Sequence, residues 1–218
     1  MGRALTATIF SLDRRLVERP TRAGTRRRQN EVVELLVAPV TAAHWPDVVR
    51  VLGGSRSKPT ACWCQRFCIH DARDNQAALL SEIETADVAV GLLAYVDGEP
   101  AGWSRVVPRK TLPGIEGNRA VQRLVAEDEA GWWVTCCVVL REHRGHGVGV
   151  VLLTAAVEHA RSHGASVLDG HPVDVSRLKA RPSPSALFTG TCSSFLKAGF
   201  SEIGRTYPNR PVMRHSLD

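Results

Sequence analysis

The stretch that most constrains this chain is Arg144-Gly145-His146-Gly147-Val148-Gly149, which separates an apolar run, Trp132 to Leu140, from an amphipathic one, Val148 to Ser162. Three glycines in six residues let a backbone fold tightly and approach a ligand that any Cβ would hold off. With a strand before it and a helix after it, such a turn presents the helix's first free N–H groups, at the positive end of its dipole, to an anion. Arg141, His143, Arg144 and His146 add local positive charge suited to a pyrophosphate. No Gly-Lys-Ser/Thr is present, so this is not a Walker loop. Val150 stands where a dinucleotide fingerprint asks for its third glycine.

The flanking pattern supports both elements. Trp132 to Leu140 is rich in aromatic, Val and Thr residues with both faces apolar, which predicts a strand at the centre of a sheet. Val150, Leu153, Val157 and Ala160 recur at helical spacing, and Gly164 stops that helix before a further strand at 165–171. Strand, helix and strand then form a right-handed unit with parallel strands. Upstream, Val32 to Val37 reads as a first strand. A helix capped by Thr41 carries Trp45, Val48, Val49 and Leu52, and a second runs from about Ala72 to Glu84. Asp97-Gly98 is a hairpin signal between strands at 91–96 and 99–107. Pro108 to Asp128 reads as a long polar loop, and Pro172 to Pro184 as a Pro-rich one. A short helix at 192–198 and strands at 200–205 and 210–214 close the chain.

Charge is distributed unevenly. The formal net charge is +6, and residues 1–30 hold eight arginines against Asp13 and Glu18, which leaves 20 basic and 20 acidic side chains in the rest. The neutral body gives no bulk signal for polyanion binding, so a nucleic-acid partner would rest on the tail alone. Low apolar periodicity predicts that 1–30 is a disordered basic tail, and its Arg-rich composition also resembles an organelle transit peptide. Residues 31–218 form one domain. No run of about 18 apolar residues exists, which predicts a chain without a membrane span, placed in the cytoplasm. Cys62 and Cys64 are one residue apart and Cys136 and Cys137 are adjacent, spacings that strain a disulfide, so the thiols are expected to be reduced. Cys62, Cys64, Cys68 and His70 are poorly spaced for a tetrahedral zinc site, and no metal is expected.

Arg-x-x-Gly-x-Gly at 144–149 resembles the coenzyme A signature of the GCN5-related N-acetyltransferase (GNAT) family. The order of elements from residue 31 to the end is similar to that family's. So are the Phe195-Leu196-Lys197-Ala198-Gly199-Phe200 segment and the Asp97-Gly98-Glu99-Pro100-Ala101-Gly102 hairpin. Cys62-Trp63-Cys64 and His171-Pro172-Val173-Asp174 resemble an uncharacterised bacterial subgroup. The resemblance implies an α/β GNAT fold: a mixed, mostly antiparallel sheet whose parallel strand–helix–strand unit is splayed to hold acetyl-CoA as co-substrate. It further implies acetyl transfer to a primary amine of a small molecule or protein by direct attack on the thioester.

By position, the resemblance assigns the cofactor to Cys137, Val138, Val139, Arg144, Gly145, His146, Gly147, Val148, Gly149 and Phe195. The first three would pair with the pantetheine arm through their backbone. Where the family often keeps a tyrosine to protonate the leaving thiolate, this chain has Phe195. Ser193, Ser194 and Cys192 are the neighbouring substitutes. Glu129, Asp169 or His171 would take the ammonium proton. A catalytically silent acyl-CoA-binding module and a nucleic-acid-associated protein are the alternatives, and a second copy of the chain is a candidate partner.

Overall fold

The computed structural model describes residues 34–53, 61–68 and 74–217. The expected tail at 1–30, the start of the first strand and His70 lie outside them. Seven strands form one mixed sheet in the order β1-β2-β3-β4-β5-β7-β6. They are β1 (Leu35–Pro39), β2 (Gly91–Val96), β3 (Glu99–Pro108), β4 (Trp132–Val139), β5 (Val167–Gly170), β6 (Ser201–Tyr207) and β7 (Arg210–Ser216). All neighbours are antiparallel except β4 and β5. This is the α/β mixed sheet with a parallel strand–helix–strand unit that the sequence predicts.

The sheet is covered on both faces, which is why β4 reads as apolar on both sides. One face carries α5 (Val148–Ser162) and α6 (Cys192–Lys197), packed on Trp132, Val134 and Cys137 through Leu152, Ala156, Ala160 and Phe195. The other face carries α1 (Trp45–Leu52) and α2 (Asn75–Thr85), whose Val48, Val51, Leu79 and Ile83 meet Trp103, Trp133 and Cys136. Asp97 and Gly98 turn the β2–β3 hairpin at φ of 51° and 80°, as that dipeptide demands.

Three expectations need correction. Residues 108–128 are not a loop: α3 (Pro113–Glu116) and α4 (Arg119–Val125) lie within them. Pro113 occupies the first turn of α3, where its missing N–H is no loss, and the Asn118 side chain accepts from the Ala120 and Val121 amides at the start of α4. Buried Ile115, Val121 and Val125 were the apolar spacing that the prolines and glycines obscured. Secondly, α5 buries a wider face than the expected stripe, adding Val148, Leu152, Ala155, Ala156 and His159, while Val150 is only half-buried. Lastly, β5 is four residues long, against the seven of 165–171.

The short β5 creates the feature that matters for function. Its register with β4 is Trp132↔Leu168, Trp133↔Asp169 and Val134↔Gly170, and there it stops, while β4 stays paired with β3 as far as Val139. A β-bulge interrupts the β3–β4 register, with Arg105 opposite Cys136 and Val106 opposite Val134. It inserts Thr135 and turns Cys137, instead of Cys136, toward α5. Beyond Val134 the two strands part.

Candidate active site

A cleft of about 500 Å³ fills the opening between the end of β4, the N-terminus of α5 and the 185–197 region. Its walls are built from Cys137, Val138 and Val139 on β4, the 143–150 turn, Leu187, Phe188 and Gly190, and Thr191, Ser194 and Lys197 of the α6 cap and helix. No aspartate or glutamate is among the residues that line it.

The turn is held open by backbone conformation. Gly145 and Gly147 both have φ of 81°, in the left-handed region, and a Cβ on either would meet no atom within 4 Å. The glycines are therefore needed for the backbone path and for room in front of it, not for packing behind it. Gly147 caps α5, and its carbonyl accepts from the Val150 and Val151 amides, which leaves the N–H groups of Val148 and Gly149 at the open end of a 15-residue helix. Arg144 Nε donates to Val139 C=O at 2.9 Å, tying the turn to the strand that precedes it.

Along β4 the backbone alternates. Leu140 N–H donates to Ala101 C=O on β3, so the polar groups of Val139 turn to the cleft. Cys137 N–H faces the same way, but it donates to Phe188 C=O at 2.7 Å. That amide, expected to be available to a ligand, is already bonded to the 184–190 segment. Burial pushes the Cys137 thiol up to about 12, with the neighbouring Cys64 adding to the effect, so it stays protonated at neutral pH.

The structure brings together Cys137, Val138, Val139, Arg144, Gly145, Gly147, Val148, Gly149 and Ser194. The other candidates fall elsewhere. Phe195 is fully buried, ring to ring with Phe200 at 4.8 Å and beneath Gly170 and Gly190, so it faces the core. His146 is half-buried between the two left-handed glycines and outside the cleft wall. Ser193 is exposed, within 3.1 Å of Thr191 Oγ1, and does not line the cleft. Cys192 also lies outside it. Glu129 precedes β4, at the end of the strand away from the turn, and is exposed.

Asp169 is fully buried in a bidentate pair with Arg214, both bonds 2.8 Å, with Arg109 3.9 Å away. His171 Nε2 shares a 2.7 Å bond with Thr206 Oγ1, and burial lowers its pKa to about 4. Neither reaches the cleft wall. Residues that sequence reasoning passed over are Thr191 and Lys197, together with the 185–190 segment, while His143, named there for its charge, does line the cleft. The Thr191 hydroxyl lies 2.9 Å from Ser194 Oγ and caps α6 through the Ser194 amide. Its position before Cys192-Ser193-Ser194 is an N-cap signature that the sequence does offer.

The cysteine cluster has a packing role. Cys64 Sγ accepts from Trp103 Nε1 at 2.9 Å and lies 2.9 Å from Cys136 Sγ, all three side chains buried. Among the described residues no group of three or more His, Cys, Asp or Glu is placed to hold a metal ion, and no helix is long and apolar enough to cross a membrane.

Comparison with known proteins places this geometry in context. The model of the Acetyltransferase (GNAT) family matches residues 59–182. No curated protein matches the sequence significantly. Solved structures share the fold, among them the following three. The GNAT domain of PAT from S. lividans is 16% identical over 84% of this chain and 90% of its own, with a TM-score of 0.52. An acetyltransferase of the GNAT family from Streptococcus pneumoniae is 17% identical over 85% of this chain and 100% of its own, TM-score 0.50. The aminoglycoside acetyltransferase AAC(6')-Ib, in complex with coenzyme A, is 16% identical over 84% of this chain and 94% of its own, TM-score 0.50.

Proposed function

Because the chain belongs to the GNAT acetyltransferase family, whose co-substrate is acetyl-CoA, we propose that this cleft passes the acetyl group directly from the thioester to a primary amine. Bound there, acetyl-CoA supplies the acetyl group and departs as the thiol.

The residues present fit such a molecule. The turn leaves open space in front of Gly145 and Gly147, the Val148 and Gly149 amides begin a long helix, and Arg144 and Lys197 supply positive charge with no carboxylate in the wall to oppose it. A pyrophosphate at the turn sends the acyl arm along β4, where the Val139 N–H faces the cleft and the Cys137 N–H becomes available once the Phe188 carbonyl yields it.

What the side chains offer argues for positioning as the main source of rate. The cleft wall holds no tyrosine and no carboxylate. Cys137, the one cysteine of the wall, is kept as a thiol by burial, so a covalent relay through it is disfavoured against direct attack. Proton donation to the departing sulfur falls to Ser194, whose hydroxyl shares its hydrogen bond with Thr191. A thiol with a pKa of ~8.5 gives a thiolate that leaves readily with little help.

The open helix N-terminus facing the splay between β4 and β5 is the observation that carries this reading. Calorimetry with acetyl-CoA, followed by measurement of free thiol release over a panel of amines, tests it. Binding together with amine-dependent thiol release is the expected result. Binding with no release from any amine would favour the silent module, and absence of binding by the folded protein would remove the reading altogether.

A further inference from the structure

Five arginines among the described residues are buried or half-buried: Arg105, Arg109, Arg205, Arg210 and Arg214. Four of them pair with carboxylates: Arg105 with Glu82, Arg109 with Glu116, Arg205 with Asp174 and Glu202, and Arg214 with Asp169 and Asp128. Arg210 has no carboxylate partner there. Its Nη1 donates to His171 C=O at 3.2 Å and to Thr189 Oγ1 at 2.9 Å, and its remaining guanidinium nitrogens bond to no described residue. A partly desolvated cation without a counterion is costly, and here a second cation lies close by. The Arg66 guanidinium, exposed and also without a carboxylate, sits 5.1 Å above the ring of Phe188. Burial, and then the charge of Arg66, lower the basicity of Arg210.

The location gives this pair a meaning. Phe188 and Thr189, the residues that hold the two guanidinium groups, are consecutive, and Phe188 C=O bonds the Cys137 amide in the cleft wall. On the proposed binding mode, a ligand with its anionic end at 144–149 would carry its acyl end along β4 toward Cys137. The two arginines do not line the cleft themselves but are held by the segment that forms its wall there.

Building on the proposed transfer to an amine, we propose that Arg210 and Arg66 recognise a carboxylate carried close to the acceptor's amine, so that the acceptors are amino acids and their small derivatives and not polyamines. A guanidinium fork offers two parallel N–H donors to such a group, and the same positive field repels a second ammonium.

The test compares each of a set of amino acids with its amide, its decarboxylated amine and an aminoalkyl phosphate, reading thiol release from acetyl-CoA. Carboxylate-bearing acceptors should show a kcat/KM about 10-fold or more above their neutral counterparts. Arg66→Ala, at an exposed position, and Arg210→Gln should each reduce that preference through the acceptor KM, with the KM for acetyl-CoA unchanged and Arg210→Lys recovering part of the loss. A second readout needs no turnover: dissociation constants of N-acetylamino acids against their amides, measured on the wild-type protein and on both variants. Tighter binding of the acids, lost in Arg66→Ala, supports the inference even if acetyl-CoA does not bind and the transferase reading fails. Transfer to amines regardless of the carboxylate, preference for the phosphate, or equal binding of acid and amide would overturn it and leave N-acetyl transfer standing.

Discussion

Replacing Gly149 with alanine separates ligand binding from folding, because the two should respond in opposite directions. Gly149 is the second residue of α5, and its φ lies outside the left-handed region. A Cβ there would sit 3.7 Å from Val139 Cγ2 and 3.9 Å from Cys137 Sγ, ordinary contact distances that displace nothing. Alanine in a helix is worth about 0.5–1 kcal/mol over glycine, less within the first turn, so melting should rise by about 1–3 °C for a chain of this size. The same methyl stands on the cleft floor between α5 and β4, beside the amides assigned to the pyrophosphate. Affinity for acetyl-CoA should fall about tenfold or more, equivalent to roughly 1.4 kcal/mol. Gly147→Ala is the control. Its added atom meets nothing, but its φ of 81° costs about 1–2 kcal/mol for a residue with a Cβ, so melting drops by several degrees. Differential scanning calorimetry and isothermal titration read both effects. An affinity for acetyl-CoA unchanged in Gly149→Ala would mean that the ligand does not lie against the start of α5 beside β4, and the site assignment would be wrong.

Asp169→Asn should destabilise the protein by about 3 kcal/mol, the lower end for a broken buried ion pair because Asp128 and Glu116 still serve Arg214 and Arg109, and should lower the melting temperature by roughly 10 °C. Burial holds both His159 and His171 down to about 4, so between there and ~6.5 the unfolded chain takes up protons that the folded one refuses. Their contribution is complete above that window and is lost as the pH falls through it, and a melting series from pH 7 to 4 on His159→Gln should show a shallower fall than wild type. Glu129→Gln should leave turnover unchanged, since the side chain lies at the far end of β4. Ser194→Ala should lower kcat by less than about 100-fold, and a larger loss with acetyl-CoA binding intact would make Ser194 the principal acid.

The turn at 144–149 was legible because its requirements are local: backbone freedom, helix-end donors and basic side chains are all written in six consecutive residues. The β2–β3 hairpin was legible for the same reason, at Asp97-Gly98. What escaped depends on partners far along the chain. Phe195 was assigned to the cofactor by position, but its ring packs beneath Gly170 and Gly190, and Gly170 comes from β5, 25 residues earlier in the chain. Asp169 and His171 read equally well as bases until Arg214 and Thr206 meet them from the last two strands. The helices at 113–125 failed for a different reason, since proline and glycine mark helix ends as readily as loops.

The parting of β4 from β5 gives this sheet a third edge, in its interior. The two outer edges are on β1 and β6, which pair with no further strand among the described residues, and an outer edge of this kind invites association with other chains. The inner edge offers hydrogen bonding of the same kind, but its flanks are α5, α6 and the 185–190 segment, and one of its donors rests on Phe188 until displaced. A slender ligand can add itself to the sheet there, while a strand of another protein, with side chains on both faces, has no room. Stickiness and selectivity, which usually conflict at a sheet margin, are thereby separated by width alone.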